Sequence, residues 1–134
     1  MLGRVLVFLV RHAHAGPGDP DALRSLSDRG RAEAEALAER LATHETPPRR
    51  ILTSPLMRAR QTADEIGSTN GIEATVDDRL APGATLDGLR AVVAGDLGPV
   101  AVVGHQPDCS EIAVALTGHD PGFSTGSFAE LTLP

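Results

Sequence analysis

Val5-Leu6-Val7-Phe8-Leu9-Val10, running straight into Arg11-His12, is the stretch on which the fold turns. A run of six apolar residues, rich in β-branched side chains, reads as a strand buried on both faces of a parallel sheet. Open parallel sheets bind ligands just beyond the carboxyl ends of their strands. The junction therefore sets a permanent cation and a nucleophile-capable imidazole where such a sheet does its chemistry.

Two further apolar bursts, Ile51-Leu52 and Val100–Val103, are each followed by polar residues and then a helical pattern. Ahead of the first, Gly16-Pro17-Gly18-Asp19-Pro20 marks a loop, and Ser27 or Asp28 can cap a helix. Ala34, Leu37, Ala38 and Leu41 give that helix one apolar stripe, and Pro47-Pro48 closes the unit. The second strand is expected at Arg50 to Thr53, with Ser54 capping a helix whose first residue is Pro55. Leu56, Ala59, Ala63 and Ile66 face inward, Gly67 is the expected stop, and Arg58 falls in the first turn, off the stripe.

Glu73–Val76 reads as a short strand, Pro82-Gly83 as a turn and Leu86 to Ala94 as a helix. After Val100–Val103 comes Gly104-His105-Gln106-Pro107, then a helix burying Cys109, Ile112, Ala113 and Leu116 and ending at Gly118. Ser127–Leu133 alternates and fits an edge strand. Strand–helix alternation predicts an α/β three-layer sandwich with a mostly parallel central sheet flanked by helices. Residues 1–134 are read as one domain.

Composition excludes several function classes. A net charge of −6, with no Trp, no Tyr and three Phe, argues against nucleic acid or an anionic membrane as partner. All twelve basic residues are arginine. The absence of lysine removes Walker-type phosphate loops, Schiff-base chemistry and the kinase lysine. Any bound anion must be held by guanidinium, imidazole or backbone amides.

Cys109 is the one cysteine, which excludes an intrachain disulfide and Cys-based zinc or iron–sulfur sites. It is expected to be a small buried or half-buried residue. Arg4 to Ala15 mimics a signal peptide, but Arg11 interrupts an apolar run already too short for one. No stretch reaches transmembrane length, so a soluble, cytoplasmic protein is the expectation.

Each of the three strong strands ends near a candidate catalytic group: Arg11 and His12, then Arg58, then His105. A parallel sheet brings those ends to one edge, giving two guanidiniums and two imidazoles around one point. Guanidinium forks match phosphate oxygens in bidentate fashion. A neutral histidine can attack phosphorus, and fixed arginines neutralise charge on the equatorial oxygens. No metal or other cofactor is required.

A metal hydrolase is the competing class, because His12, His14, His105 and His119 include ligand-like spacing. Arg11 beside His12 would repel the cation. A non-catalytic phosphate-binding module would share the pocket, but both histidines and both arginines favour retained catalysis.

Three segments together resemble the signatures of the histidine phosphatase (phosphoglycerate mutase-like) superfamily. They are Leu9-Val10-Arg11-His12-Ala13, the run Thr53 to Ala63 (TSPLMRARQTA), and Val103-Gly104-His105-Gln106-Pro107. Leu26-Ser27-Asp28-Arg29-Gly30 with Ala34 is similar to the family's lead into its first helix. The short chain resembles the SixA-like phosphohistidine phosphatases. That resemblance implies that His12 becomes phosphorylated, that Arg11 and Arg58 clamp the phosphoryl group, and that His105 donates a further hydrogen bond. Arg24 matches an arginine of small members and is expected to line the pocket, with His14 at its rim or structural.

Many members carry a glutamate after the third strand that protonates the leaving alcohol; the matching stretch here is Asp78-Arg79-Leu80-Ala81-Pro82-Gly83. Asp77, Asp78 and Asp87 are the candidate acids, though each also fits a turn or helix cap. A missing acid favours an imidazole leaving group, which departs neutral from a protonated phosphohistidine, over an alkoxide that needs its proton supplied. The expected substrate is therefore a phosphohistidine-bearing protein, the alternative a small phosphomonoester.

Overall fold

The computed structural model describes residues 4–134, so the first three residues of the expected domain lie outside it. The elements follow as β1 (Val5–Arg11), α1 (Asp28–Ala42), β2 (Arg50–Thr53), α2 (Met57–Asn70), β3 (Thr75–Val76), α3 (Leu86–Val92), β4 (Val100–Gly104), α4 (Asp108–Thr117) and β5 (Phe128–Leu133). Short 3-10 turns occur at Asp21–Leu23 and Asp78–Leu80.

The sheet runs β3-β2-β4-β1-β5. β1, β2, β3 and β4 are mutually parallel, whereas β5 joins the edge antiparallel to β1, which makes the sheet mixed. Period-2 geometry sorts the apolar run of β1 onto two faces. Phe8 and Val10 join Ile51, Ala101 and Val103 beneath α1 and α2. Val7 and Leu9 join Leu52, Val100 and Val102 beneath α3 and α4. These two cores make the expected three layers.

α1 starts as read, with Ser27 Oγ accepting the Gly30 amide, and buries Ala34, Leu37, Ala38 and Leu41. Gly30 is also buried, because a Cβ there would lie 1.9 Å from the His14 carbonyl oxygen. α1 thus packs directly on the backbone just beyond β1.

Two boundaries of α2 differ from expectation. Ser54 does not cap it: the helix opens at Met57, with Leu56 in the cap position and no side-chain cap bond. Ser54 is wholly buried, and its hydroxyl lies 2.7 Å from His105 Nε2 and accepts the Leu56 amide at 3.3 Å, just ahead of the first helical residue. Nor does Gly67 stop the helix, which continues to Asn70 and ends on Gly71 in the left-handed conformation. Gly67 is needed for packing, because a Cβ there would meet the Ile72 carbonyl oxygen at 2.3 Å.

Candidate active site

β1 and β4 end side by side, Arg11 paired with Gly104, and the His12 amide donates to the Gly104 carbonyl at 3.1 Å. His12 and His105 therefore leave the sheet as neighbours, their ring centroids 5.2 Å apart. Arg58 enters from the first turn of α2 and is buried alongside. Four sequence-derived candidates, Arg11, His12, Arg58 and His105, are thus brought to one edge of the sheet.

His12 Nδ1 lies 2.7 Å from the Ala13 carbonyl oxygen. A carbonyl only accepts, so Nδ1 carries the proton and Nε2 carries the lone pair. Burial lowers the His12 pKa, and the guanidiniums of Arg58, Arg11 and Arg24 add to that direction against the backbone bond. His105 is 3% exposed, with Nε2 2.7 Å from Ser54 Oγ. Burial first, then His12 and Arg58, push its pKa down to about 4. Both imidazoles are consequently neutral at pH 7.

Arg11 Nη1 donates to the Phe123 carbonyl at 2.8 Å, which fixes the guanidinium at the strand end. Its Nε and His105 Nδ1 are buried without a hydrogen-bond partner among the described residues. Arg24 donates from Nε to the Gly16 carbonyl at 2.9 Å and from Nη1 to Asp21 Oδ1 at 3.1 Å. Arg58 takes the other face of the same residue, donating to the Asp21 carbonyl at 3.0 Å and to Oδ2 at 3.2 Å. One exposed carboxylate so bridges the two arginines, and their hydrogen bonds hold its pKa below the usual range, Arg24 foremost.

Asp21 is a site residue that sequence reading passed over; its i,i+3 spacing to Arg24 was the available signal. Thr62 was also missed. It is wholly buried on α2, accepts the Ala13 amide at 3.0 Å and donates to the Arg58 carbonyl at 2.8 Å. Glu33 is the third, its Oε1 accepting the His14 amide at 2.8 Å.

The remaining candidates lie elsewhere or serve structure. His14 is structural: its Nδ1 sits 2.6 Å from the capping hydroxyl of Ser27. Asp77 caps the second 3-10 turn and chelates Arg79, and Asp87 stands exposed beside Arg90. Asp78 is an exposed residue of that same turn. His119 follows the C-terminal end of α4, and among the described residues no three His, Cys, Asp or Glu side chains cluster as a metal site would require. Cys109 is buried behind the site, and that burial pushes its thiol up to about 12, so it is no nucleophile at neutral pH. No helix among the described residues is long and apolar enough to cross a membrane.

Residues 7–82 match the family profile of the histidine phosphatase superfamily (branch 1). Phosphohistidine phosphatase SixA of Escherichia coli strain K12 is 28% identical over 136 residues, covering 95% of this chain and 84% of that protein. A SixA-type protein from Agrobacterium tumefaciens superposes with a TM-score of 0.82 at 32% identity, covering 94% of this chain and 90% of that one. The protein histidine phosphatase SixA in complex with tungstate superposes with a TM-score of 0.79 at 26% identity, covering 96% of each chain. With its motifs at these strand ends and its sheet in this order, the chain belongs to the histidine phosphatase superfamily, branch 1, and is a phosphatase.

Proposed function

We propose that this phosphatase removes phosphoryl groups from histidine side chains of other proteins, passing them through its own His12. The observation that carries the reading is the bond from His12 Nδ1 to the Ala13 carbonyl, which leaves the Nε2 lone pair as the nucleophile. The Nε2 pair forms a bond to phosphorus as the P–N bond to the substrate imidazole breaks. That imidazole leaves neutral, keeping the proton on its other nitrogen. Water then attacks phosphorus, the N–P pair returns to Nε2, and inorganic phosphate departs.

Arg11, Arg58 and Arg24 neutralise charge on the equatorial oxygens, and His105 adds a hydrogen bond to them. A bound oxyanion would give Arg11 Nε the acceptor it lacks among the described residues. Asp21 competes with an entering phosphate for the guanidiniums of Arg24 and Arg58, since its carboxylate already accepts from Arg24 Nη1 and Arg58 Nη2. The mechanism needs no metal.

Three observations support a protein-borne substrate. The rim is open, with the Asp21 side chain 64% exposed and that of Arg24 34% exposed. Of the three candidate acids, Asp77 and Asp87 pair with arginines and Asp78 is an exposed residue of a surface turn, which suits a leaving group that carries its own proton. Relatives spanning most of the chain are named phosphohistidine phosphatases. That residues 4–134 pack around one sheet supports reading the chain as a single histidine phosphatase domain.

The test compares turnover of a phosphohistidine-bearing protein with that of small phosphomonoesters, using wild type and His12→Ala. A phosphohistidine preference of wild type, lost in the variant, is expected. Faster turnover of the esters rejects the substrate assignment, and an active His12→Ala rejects the nucleophile.

A further inference from the structure

The Ala13–His14 peptide is gripped from both sides. Its carbonyl accepts from His12 Nδ1 at 2.7 Å, and its N–H donates to Glu33 Oε1 at 2.8 Å. In a trans peptide these two groups point in opposite directions. A continuous chain therefore runs from the imidazole through one peptide group to a carboxylate.

Glu33 is built into its place. Its Oε2 accepts from Thr125 Oγ1 at 3.0 Å and from Arg29 Nε at 3.1 Å, which leaves Oε1 to the His14 amide. Burial raises its pKa, but the bonds from His14, Thr125 and Arg29 outweigh that, and the net direction is down. Gly126 makes room for it, since a Cβ there would lie 2.9 Å from the Glu33 Cβ, and the Gly126 amide donates to the Arg11 and His12 carbonyls. Gly30, one turn earlier on α1, brings the helix against His14.

We propose that Glu33 is a positioning residue for the nucleophile, acting through the Ala13–His14 peptide. It aims the Ala13 carbonyl so that His12 keeps its proton on Nδ1 and presents the Nε2 lone pair. When that pair bonds phosphorus, the imidazole gains positive charge while retaining the Nδ1 proton. A carbonyl polarised by a carboxylate hydrogen-bonded to its own peptide N–H stabilises that charge, because linked hydrogen bonds reinforce one another. The arrangement does for a phosphoryl-accepting histidine what a directly bonded carboxylate does for a catalytic one.

This role rests on His12 being the nucleophile, so its test reads His12 itself before any turnover. Nitrogen-15 spectra of the His12 imidazole are recorded across pH in wild type, Glu33→Gln, Glu33→Ala and Arg29→Ala. The other charged and titratable groups facing His12 (Arg11, Arg24, Arg58 and His105) are the same in all four. Wild type is expected to be the Nδ1–H tautomer. Glu33→Gln, which still offers an oxygen to the His14 amide, is expected to keep that tautomer while titrating at lower pH. Glu33→Ala is expected to mix the tautomers and to lower the rate of phosphoenzyme formation about ten- to a hundredfold, as loss of a carboxylate behind a metal-bound imidazole does. Its substrate KM is expected to hold.

Arg29→Ala removes one of the bonds to Glu33 Oε2 but leaves the carboxylate and the Thr125 bond. Because that ion pair is exposed, the variant is expected to keep the Nδ1–H tautomer and to move the His12 titration less than Glu33→Ala does. A Glu33→Ala protein with wild-type tautomer and titration overturns the proposal. Should that variant fail to fold, a wild-type His12 titration in Glu33→Gln overturns it equally. Failure of the nucleophile reading would appear elsewhere, as wild-type turnover without a phosphorylated His12.

Discussion

The Thr62 hydroxyl accepts the Ala13 amide at 3.0 Å and gives its own proton to the Arg58 carbonyl at 2.8 Å. One buried side chain so couples the residue after His12 to the helical turn that carries Arg58. Thr62→Val keeps the shape and leaves the Ala13 N–H buried and unpaired. It is expected to cost about 1–3 kcal/mol in a denaturant melt and to lower kcat/KM, with Thr62→Ser restoring both. Wild-type values for the valine variant would show that the two elements hold their places independently.

Asp21 occupies Arg24 and Arg58, the arginines proposed to hold phosphate. Asp21→Ala is expected to bind inorganic phosphate several-fold more tightly than wild type, measured by calorimetry or as product inhibition. Its carboxyl titrates below the usual range, so the contrast should persist through neutral and mildly acidic pH. Equal affinity in the two proteins would mean that the carboxylate offers no competition.

Neutral, buried His105 makes stability fall on the acid side. Its pKa is about 4 in the folded protein against 6.5 for an ordinary histidine. Between those values the unfolded chain binds a proton that the folded protein does not. Stability is therefore lost as pH drops through that window, by up to about 1.4 kcal/mol per pH unit, and this contribution is level above it. His12 is shifted the same way and steepens the loss. Urea melts at stepped pH check this, and His105→Asn should flatten the slope.

Alanine is the better helix former, yet Gly30→Ala is expected to destabilise. The gain of about 1 kcal/mol in propensity is outweighed by a Cβ placed 1.9 Å from the His14 carbonyl oxygen. The backbone beyond His12 must shift, so activity should fall with melting temperature. A more stable, fully active variant would contradict this account of why α1 can approach so closely.

Much of the fold was legible because its signals are local. The apolar run of β1, the stripe at Ala34, Leu37, Ala38 and Leu41, and the proline and glycine punctuation each report on a few neighbouring residues. Arg11, His12, Arg58 and His105 were legible because parallel strands deliver their carboxyl ends to one edge. Ser54 and Gly67 misled for a related reason. Each has the residue type of a helix boundary, but the demands on Ser54 from His105 and on Gly67 from Ile72 come from distant segments.

By itself the sequence determined the layers, the strand ends and the four groups that meet there, since those depend on periodicity and chain direction. Only the tertiary structure decided which nitrogen of His12 is free, which carboxylate lies across Arg24 and Arg58, and which residues brace the Ala13–His14 peptide. Those outcomes rest on hydrogen bonds between residues 13, 33, 58 and 62. Such bonds depend on distances of about 3 Å set by the packing of α1 and α2 on the sheet, which no spacing along the chain encodes.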